Sequence, residues 1–274
     1  MNDPAEKKRL LEENIKKQGK LAVAFSGGID SAFLLKTAHD ILGDDVIAVT
    51  VKACMIPERE LRETREFCGS EGITQVIAEF DALIIKEFRE NTPDRCYHCK
   101  KALFECISSA AAEKGFNTVC EGSNADDVSD YRPGLRALEE SGVLSPLKEA
   151  GLKKDDIRLL AKEAGISIWN KPSLACLATR FPYGDIIDEE GLSRADRAEQ
   201  KLLDMGFSRV RVRIHGDLAR IETDPSEMKR LLEQPVRDEI NRYFKELGFS
   251  YTAMDLKGYR TGSMNEGLDK AGKA

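Results

Sequence analysis

The chain contains no run of about 18 apolar residues, so no segment of it reads as a membrane span. Its opening, Met1 to Lys8, has no apolar stretch followed by a cleavage site, and the expectation is a cytoplasmic protein without a signal peptide. A surplus of positive charge is also missing. Forty-two Lys and Arg stand against 48 Asp and Glu, a formal net charge of −6, which argues against a nucleic-acid partner held by bulk charge. There is no internal repeat and no low-complexity tract. The seven cysteines form no even set, which speaks against a disulfide framework in that compartment. Only one C-x-x-C pair occurs, so a Cys₄ zinc site lacks partners. The GxxxxGK[ST] phosphate loop is absent as well. What remains is an ordinary globular composition, 41% hydrophobic and 33% charged, over 274 residues, enough for one large domain or two small ones.

The stretch around which the chain is organised is Ser26-Gly27-Gly28-Ile29-Asp30-Ser31. It follows the apolar run Leu21 to Phe25, which reads as a buried strand, and opens a helix carrying Phe33, Leu34, Leu35, Ala38, Ile41 and Leu42. A strand, then glycines, then a helix N-terminus makes an anion site, because free backbone N–H groups and the helix dipole both favour negative charge. Gly27 and Gly28 admit a phosphate close to the backbone, and Ser26 and Ser31 add hydroxyl donors. The bland alternative is a glycine turn that only links strand to helix.

Further strands are expected at 46–51, 74–79 and 117–121, alternating with helices at 4–18, 58–69 and one closed by Gly115. This alternation predicts an α/β fold, a doubly wound parallel sheet whose ligands lie beyond the carboxyl ends of the strands. The turn Gly122 to Asp127 falls at such an end. Its carboxylates, Asp127 among them, suit Mg²⁺ bridging a phosphate, although a plain Asn/Asp turn gives the same sequence. A helix over 153–163 precedes a long irregular stretch, Trp169 to Gly184, of the kind that usually carries function. The domain boundary is placed after it: residues 1–184 form the nucleotide domain and 185–274 a small α+β domain. The smaller domain should hold helices at 189–205, 226–232 and 236–247 and strands at 209–214, 218–222 and 250–256. The polar tail after Glu266 reads as disordered.

Two other groups carry chemistry. Cys96 and Cys99 form the C-x-x-C pair, expected just before a helix beginning near Lys100, whose N-terminus would favour thiolates. With Cys176 from the long loop they make three thiol ligands, enough for a 4Fe-4S cluster with one iron open; a redox pair is the alternative. Cys54, Cys68, Cys106 and Cys120 read as inert cysteines packed within elements. Val210-Arg211-Val212-Arg213-Ile214 alternates, so Arg211 and Arg213 share one strand face about 7 Å apart, a fork for a phosphate or carboxylate that Arg180 could join. The same pattern also fits a solvated face paired to Glu222.

Ser26 to Ser31 resembles the pyrophosphate loop of the ATP pyrophosphatase (PP-loop) superfamily, the adenine nucleotide alpha hydrolase-like fold. Beyond the loop, Asn91-Thr92-Pro93-Asp94, Asp130 to Leu135, Trp169-Asn170-Lys171, Arg180 to Gly184, Val210 to His215 and Asp255 to Asn265 resemble the LarE family. These enzymes are ATP-dependent sulfur transferases that make the nickel-pincer nucleotide cofactor of lactate racemase. The resemblance implies that a carboxylate of pyridinium-3,5-biscarboxylic acid mononucleotide attacks the α-phosphate of ATP, with Mg²⁺ and the loop stabilising the departing pyrophosphate. Sulfur then displaces AMP. It implies nucleotide contacts from Ser26, Gly27, Gly28, Asp30, Ser31 and Asp127, and substrate contacts from Arg180, Arg211 and Arg213. It also implies a catalytic Cys176 and a homo-oligomer. Two sulfur chemistries occur in the family, one sacrificing the enzyme's own cysteine and one using a 4Fe-4S cluster on three cysteines. Because sacrificial members lack the C-x-x-C pair, Cys96, Cys99 and Cys176 point to the cluster version. A cluster-dependent tRNA thiolase of the same superfamily is the competing enzyme, with the acidic balance against it. A nucleotide sensor without chemistry would leave Cys176 and the arginines without a role.

Overall fold

The computed structural model describes residues 3–129, 133–171 and 175–260. Expectations that fall on residues 130–132, 172–174 and 261–274, the polar tail included, lie outside the described residues. Contacts divide the chain into two compact units, residues 1–82 with 94–174, and residues 83–93 with 175–274. This division and a boundary after Gly184 assign residues 83–93 and 175–184 differently.

The first unit is built on four parallel strands: β1 (Leu21–Ala24), β2 (Val46–Lys52), β3 (Thr74–Glu79) and β4 (Val119–Cys120), in the order β3-β2-β1-β4. Side chains alternate between the two faces of each strand, and both faces are covered. Leu21, Val23, Val46 and Ala48 pack with the helices Pro4–Gln18, Ile29–Leu42 and Lys154–Glu163. Ala22, Ile47, Val49 and Val51 pack on the other side with Phe104, Ile107 and Ala111 of the helix Arg95–Glu113. The unit is therefore the expected doubly wound α/β sheet. Strand order reverses between β1 and β4, so the loops leaving these two strands flank the switch point, where such sheets bind ligands.

Two local expectations need correction. Residues 117–121 shorten to a two-residue β4, because beyond it the chain offers a single bridge, Cys120 to Leu144, and the Glu121 carboxylate turns back on Ser123 and Ser145. The helix expected near Lys100 begins at Arg95, directly after Pro93-Asp94. Cys96 therefore lies in its first turn and Cys99 at the start of the second, three residues apart on one face.

The second unit carries β5 (Val210–His215), β6 (Leu218–Thr223) and β7 (Tyr251–Met254) in the order β5-β6-β7. β5 and β6 form a hairpin turning at Gly216, and β7 returns parallel to β6 after the helix Gln234–Glu246. The helix Glu189–Asp204 starts where the Asp188 carboxylate accepts from the Gly191 amide at 2.7 Å. It closes the core with Leu192, Ala195, Ala198 and Leu202 fully buried. Residues 83–93 join this unit through backbone bonds from Gly184 to Asn91 and from Ile187 to Arg89. No helix among the described residues is long and apolar enough to cross a membrane.

Candidate active site

In the first unit the glycine loop leaves β1 and enters the helix Ile29–Leu42 with Gly28 at the cap position and no side chain capping it. The first amides of the helix thus keep their donor capacity for a ligand. Gly27 has φ +74°, which an L side chain rarely adopts, and a Cβ there would sit 3.0 Å from the Thr64 methyl. The Ser31 hydroxyl donates to the Gly28 carbonyl at 2.9 Å and lies 3.2 Å from the Ser26 hydroxyl, which sets the curvature of the loop. Gly122, leaving β4, passes so close that a Cβ would lie 2.8 Å from the Ser31 amide nitrogen. The two loops at the switch point are therefore in backbone contact.

Charge around this loop is arranged in pairs. Asp30 ion-pairs with Lys154 through one carboxylate oxygen, while the other oxygen is buried without a hydrogen-bond partner. Burial raises the Asp30 pKa; Lys154 works against the rise and the charge of Asp127 adds to it. Asp127 also accepts from the Asn124 amide at 3.0 Å, and Asp126 accepts from the Lys154 amide at 2.9 Å. The Asn/Asp turn is thus both a turn and a source of carboxylate next to Asp30. Lys171 donates to the Gly27 carbonyl at 2.9 Å and ion-pairs with Glu63. Neither Lys154 nor Lys171 was singled out for a role from sequence. Lys154 did leave a signal, since a lysine at the first residue of a helix opposes the macrodipole.

In the second unit Cys176 precedes a single turn of 3₁₀ helix, Leu177–Arg180. Leu177 and Ala178 are buried and anchor the turn, whereas Cys176 is half-buried. Arg180 is 0% exposed and grips the buried Glu199 carboxylate with two bonds of 2.8 Å. Burial alone would raise the Glu199 pKa, but the charge and hydrogen bonds of Arg180 outweigh it and hold the carboxyl below its ordinary range. Arg213 forks onto Glu222 at 3.0 and 2.9 Å, and Glu222 also takes Arg220 at 3.2 Å. Arg211 stacks on the Tyr259 ring at 5.2 Å and donates to the carbonyl of Val210. Arg211 and Arg213 do share a strand face, but that face is buried, each residue being only 8% exposed. The pairing to Glu222 that the alternation also allowed is present, on a buried rather than a solvated face. Glu199, which neutralises a further part of this charge, could be found only from the fold.

Within the first unit the structure brings together Ser26, Gly27, Gly28, Asp30, Ser31 and Asp127. Within the second it brings together Cys176, Arg180, Arg211 and Arg213. None of the seven cysteines is in a disulfide, and among the described residues no three His, Cys, Asp or Glu side chains form a metal-holding group.

No family model matches the chain. Over 268 residues it is 38% identical to the pyridinium-3,5-bisthiocarboxylic acid mononucleotide synthase of Lactiplantibacillus plantarum, covering 97% of this chain and 96% of that protein. The chain belongs to the LarE family. An uncharacterised protein of Synechocystis, slr1717, is 37% identical over 90% of this chain and 92% of its own length. The tRNA-specific 2-thiouridylase MnmA of Rickettsia africae is 24% identical over 57% of this chain and 53% of its own. LarE membership and the parallel sheet place the chain in the PP-loop superfamily, as an ATP-dependent sulfur transferase.

Proposed function

We propose that this enzyme adenylates a carboxylate of pyridinium-3,5-biscarboxylic acid mononucleotide and converts it to a thiocarboxylate, a step toward a nickel-pincer nucleotide cofactor. The observation that carries the reading is 38% identity over nearly the full length to a synthase of that product, in a chain that keeps an uncapped glycine loop and a half-buried Cys176.

A carboxylate oxygen of the substrate attacks the α-phosphorus of ATP, the bond to the β-phosphate oxygen breaks, and pyrophosphate leaves. The amides after Gly28, the hydroxyls of Ser26 and Ser31, and the ammonium groups of Lys154 and Lys171 are the donors suited to the charge that collects on the pyrophosphate. The orphaned oxygen of Asp30 and the neighbouring Asp127 are a hard oxygen set that fits Mg²⁺, which would neutralise the same phosphates. Arg211 and Arg213 are assigned to the phosphate of the substrate mononucleotide. Arg180, with no exposed surface, acts from behind them.

Sulfur then adds to the acyl carbon and AMP leaves. Cys96, Cys99 and Cys176 are half-buried thiols outside any disulfide, the first two spaced i, i+3 at the start of one helix, and thiols are the ligand type that a 4Fe-4S cluster takes. Cys96, Cys99 and Cys176 would hold it, and it would supply the sulfide. In the competing scheme the Cys176 thiolate displaces AMP to form a thioester. Loss of the Cys176 α-proton and cleavage of its Cβ–S bond then leave the thiocarboxylate and a dehydroalanine. Anaerobic iron and sulfide analysis, with the intact protein mass before and after turnover, tests the choice. Bound iron and an unchanged mass are expected; loss of the elements of H₂S from an iron-free protein overturns the cluster assignment.

A further inference from the structure

The loop that presents Cys176 and the strand that presents Arg211 and Arg213 are tied by a closed circuit of polar contacts. It begins at the backbone of the cysteine. One terminal nitrogen of Arg180 donates to the Ala175 carbonyl at 2.8 Å, to the Cys176 carbonyl at 3.2 Å and to the Thr179 hydroxyl at 2.8 Å. The remaining guanidinium edge is clamped on Glu199. The same Glu199 oxygen that accepts from Arg180 accepts from the Val212 amide at 2.9 Å, and Val212 lies between the two arginines on β5. From β5 the path returns, because Arg213 donates to the Thr179 carbonyl at 2.5 Å. The Thr179 amide and hydroxyl then close onto the Cys176 carbonyl at 3.1 and 2.9 Å.

We propose that Arg180 and Glu199 are positioning residues, which hold the Cys176 backbone in fixed register with the anion-binding strand. Taking two charges out of water is costly, and a well-packed apolar pair of equal volume serves stability as well or better. An apolar pair cannot satisfy two loop carbonyls, a hydroxyl and a strand amide at once; a guanidinium fork on a carboxylate does so in a single plane. Both residues are 0% exposed, so neither meets the substrate directly. The consequence is a rigid set in which the sulfur-bearing residue and the two phosphate-directed arginines cannot shift independently. The role of Cys176 rests on the reading above; the circuit itself does not.

Arg180→Lys keeps the charge and loses the fork; Glu199→Gln keeps the shape and loses the charge. For each variant, folding is checked by circular dichroism, and pyrophosphate release and thiocarboxylate formation are followed separately. Alkylation of Cys176 by iodoacetamide in the protein as purified is timed by peptide mass spectrometry. Uncoupling is expected: thiocarboxylate formation falls by about 10²-fold, as for a reacting group displaced by about 1 Å, while pyrophosphate release falls far less. The Cys176 alkylation rate changes about tenfold or more, and the two variants combine non-additively. A folded variant with unchanged alkylation and unchanged coupling overturns the proposal. So does a variant that only raises the KM for the mononucleotide, since Arg180 would then be a substrate ligand. If Cys176→Ala still forms product while the alkylation shift stands, the functional reading fails and the positioning role survives.

Discussion

Gly27 and Gly122 carry the most exacting demands in the two loops at the switch point, one through a positive φ and the other through backbone contact with Ser31. Gly122→Ala pushes a methyl group against the Asp30–Ser31 backbone, which moves the first turn of the helix that the proposed function assigns to the phosphates. Substrate-dependent pyrophosphate release is expected to fall by about 10²-fold or more, the scale of losing one preorganised donor, while the melting temperature falls only modestly. Lys171→Met removes an ammonium that braces the Gly27 carbonyl. It is expected to raise the KM for ATP and lower the rate of pyrophosphate release together, measured by a coupled pyrophosphate assay. The glycines and serines of the loop were legible in sequence, because a strand, a glycine pair and a helix start leave a local pattern. Lys171 was not, since 144 residues separate it from the loop it braces.

The same contrast holds for whole elements. β1, β2 and β3 were readable because a fully covered parallel strand is a nearly unbroken apolar run. The extent of β4 and the start of the cysteine-bearing helix were not, because a single bridge and a proline-terminated entry set their limits. On β5 the alternation of valine and arginine was legible, and so was Glu222 as a partner, but Glu199 comes from a helix with no local link to the strand. Glu222→Ala leaves Arg213 buried without its fork and is expected to cost about 3–5 kcal/mol in urea denaturation. The Glu199 carboxyl is held below its ordinary value, so its ionised form contributes stability that is complete above about pH 4.5 and drains away as pH falls through the folded pKa. The gap in urea midpoint between the parent protein and Glu199→Gln is therefore expected to be widest near neutrality and to narrow below that pH. A gap that widens on acidification contradicts the ion pair.

At the scale of the molecule, the alternation of strands and helices predicted a doubly wound sheet followed by a smaller α+β unit, and both are present. What local patterning could not encode is the membership of residues 83–93, which backbone bonds to Gly184 and Ile187 draw into the second unit. On the proposed reading the first unit supplies the phosphate chemistry, through a glycine loop with paired ammonium groups, and the second the sulfur chemistry, through the Cys176 thiol. Phosphate chemistry and sulfur chemistry should accordingly come apart by mutation. The most direct test is to quantify AMP, pyrophosphate and thiocarboxylate from ATP and pyridinium-3,5-biscarboxylic acid mononucleotide, for the parent protein and for Cys176→Ala. The parent is expected to release AMP and pyrophosphate in equal amounts and to form thiocarboxylate, and Cys176→Ala to release pyrophosphate without making thiocarboxylate. Release of ADP and phosphate instead, or thiocarboxylate formation undiminished without Cys176, would contradict the account.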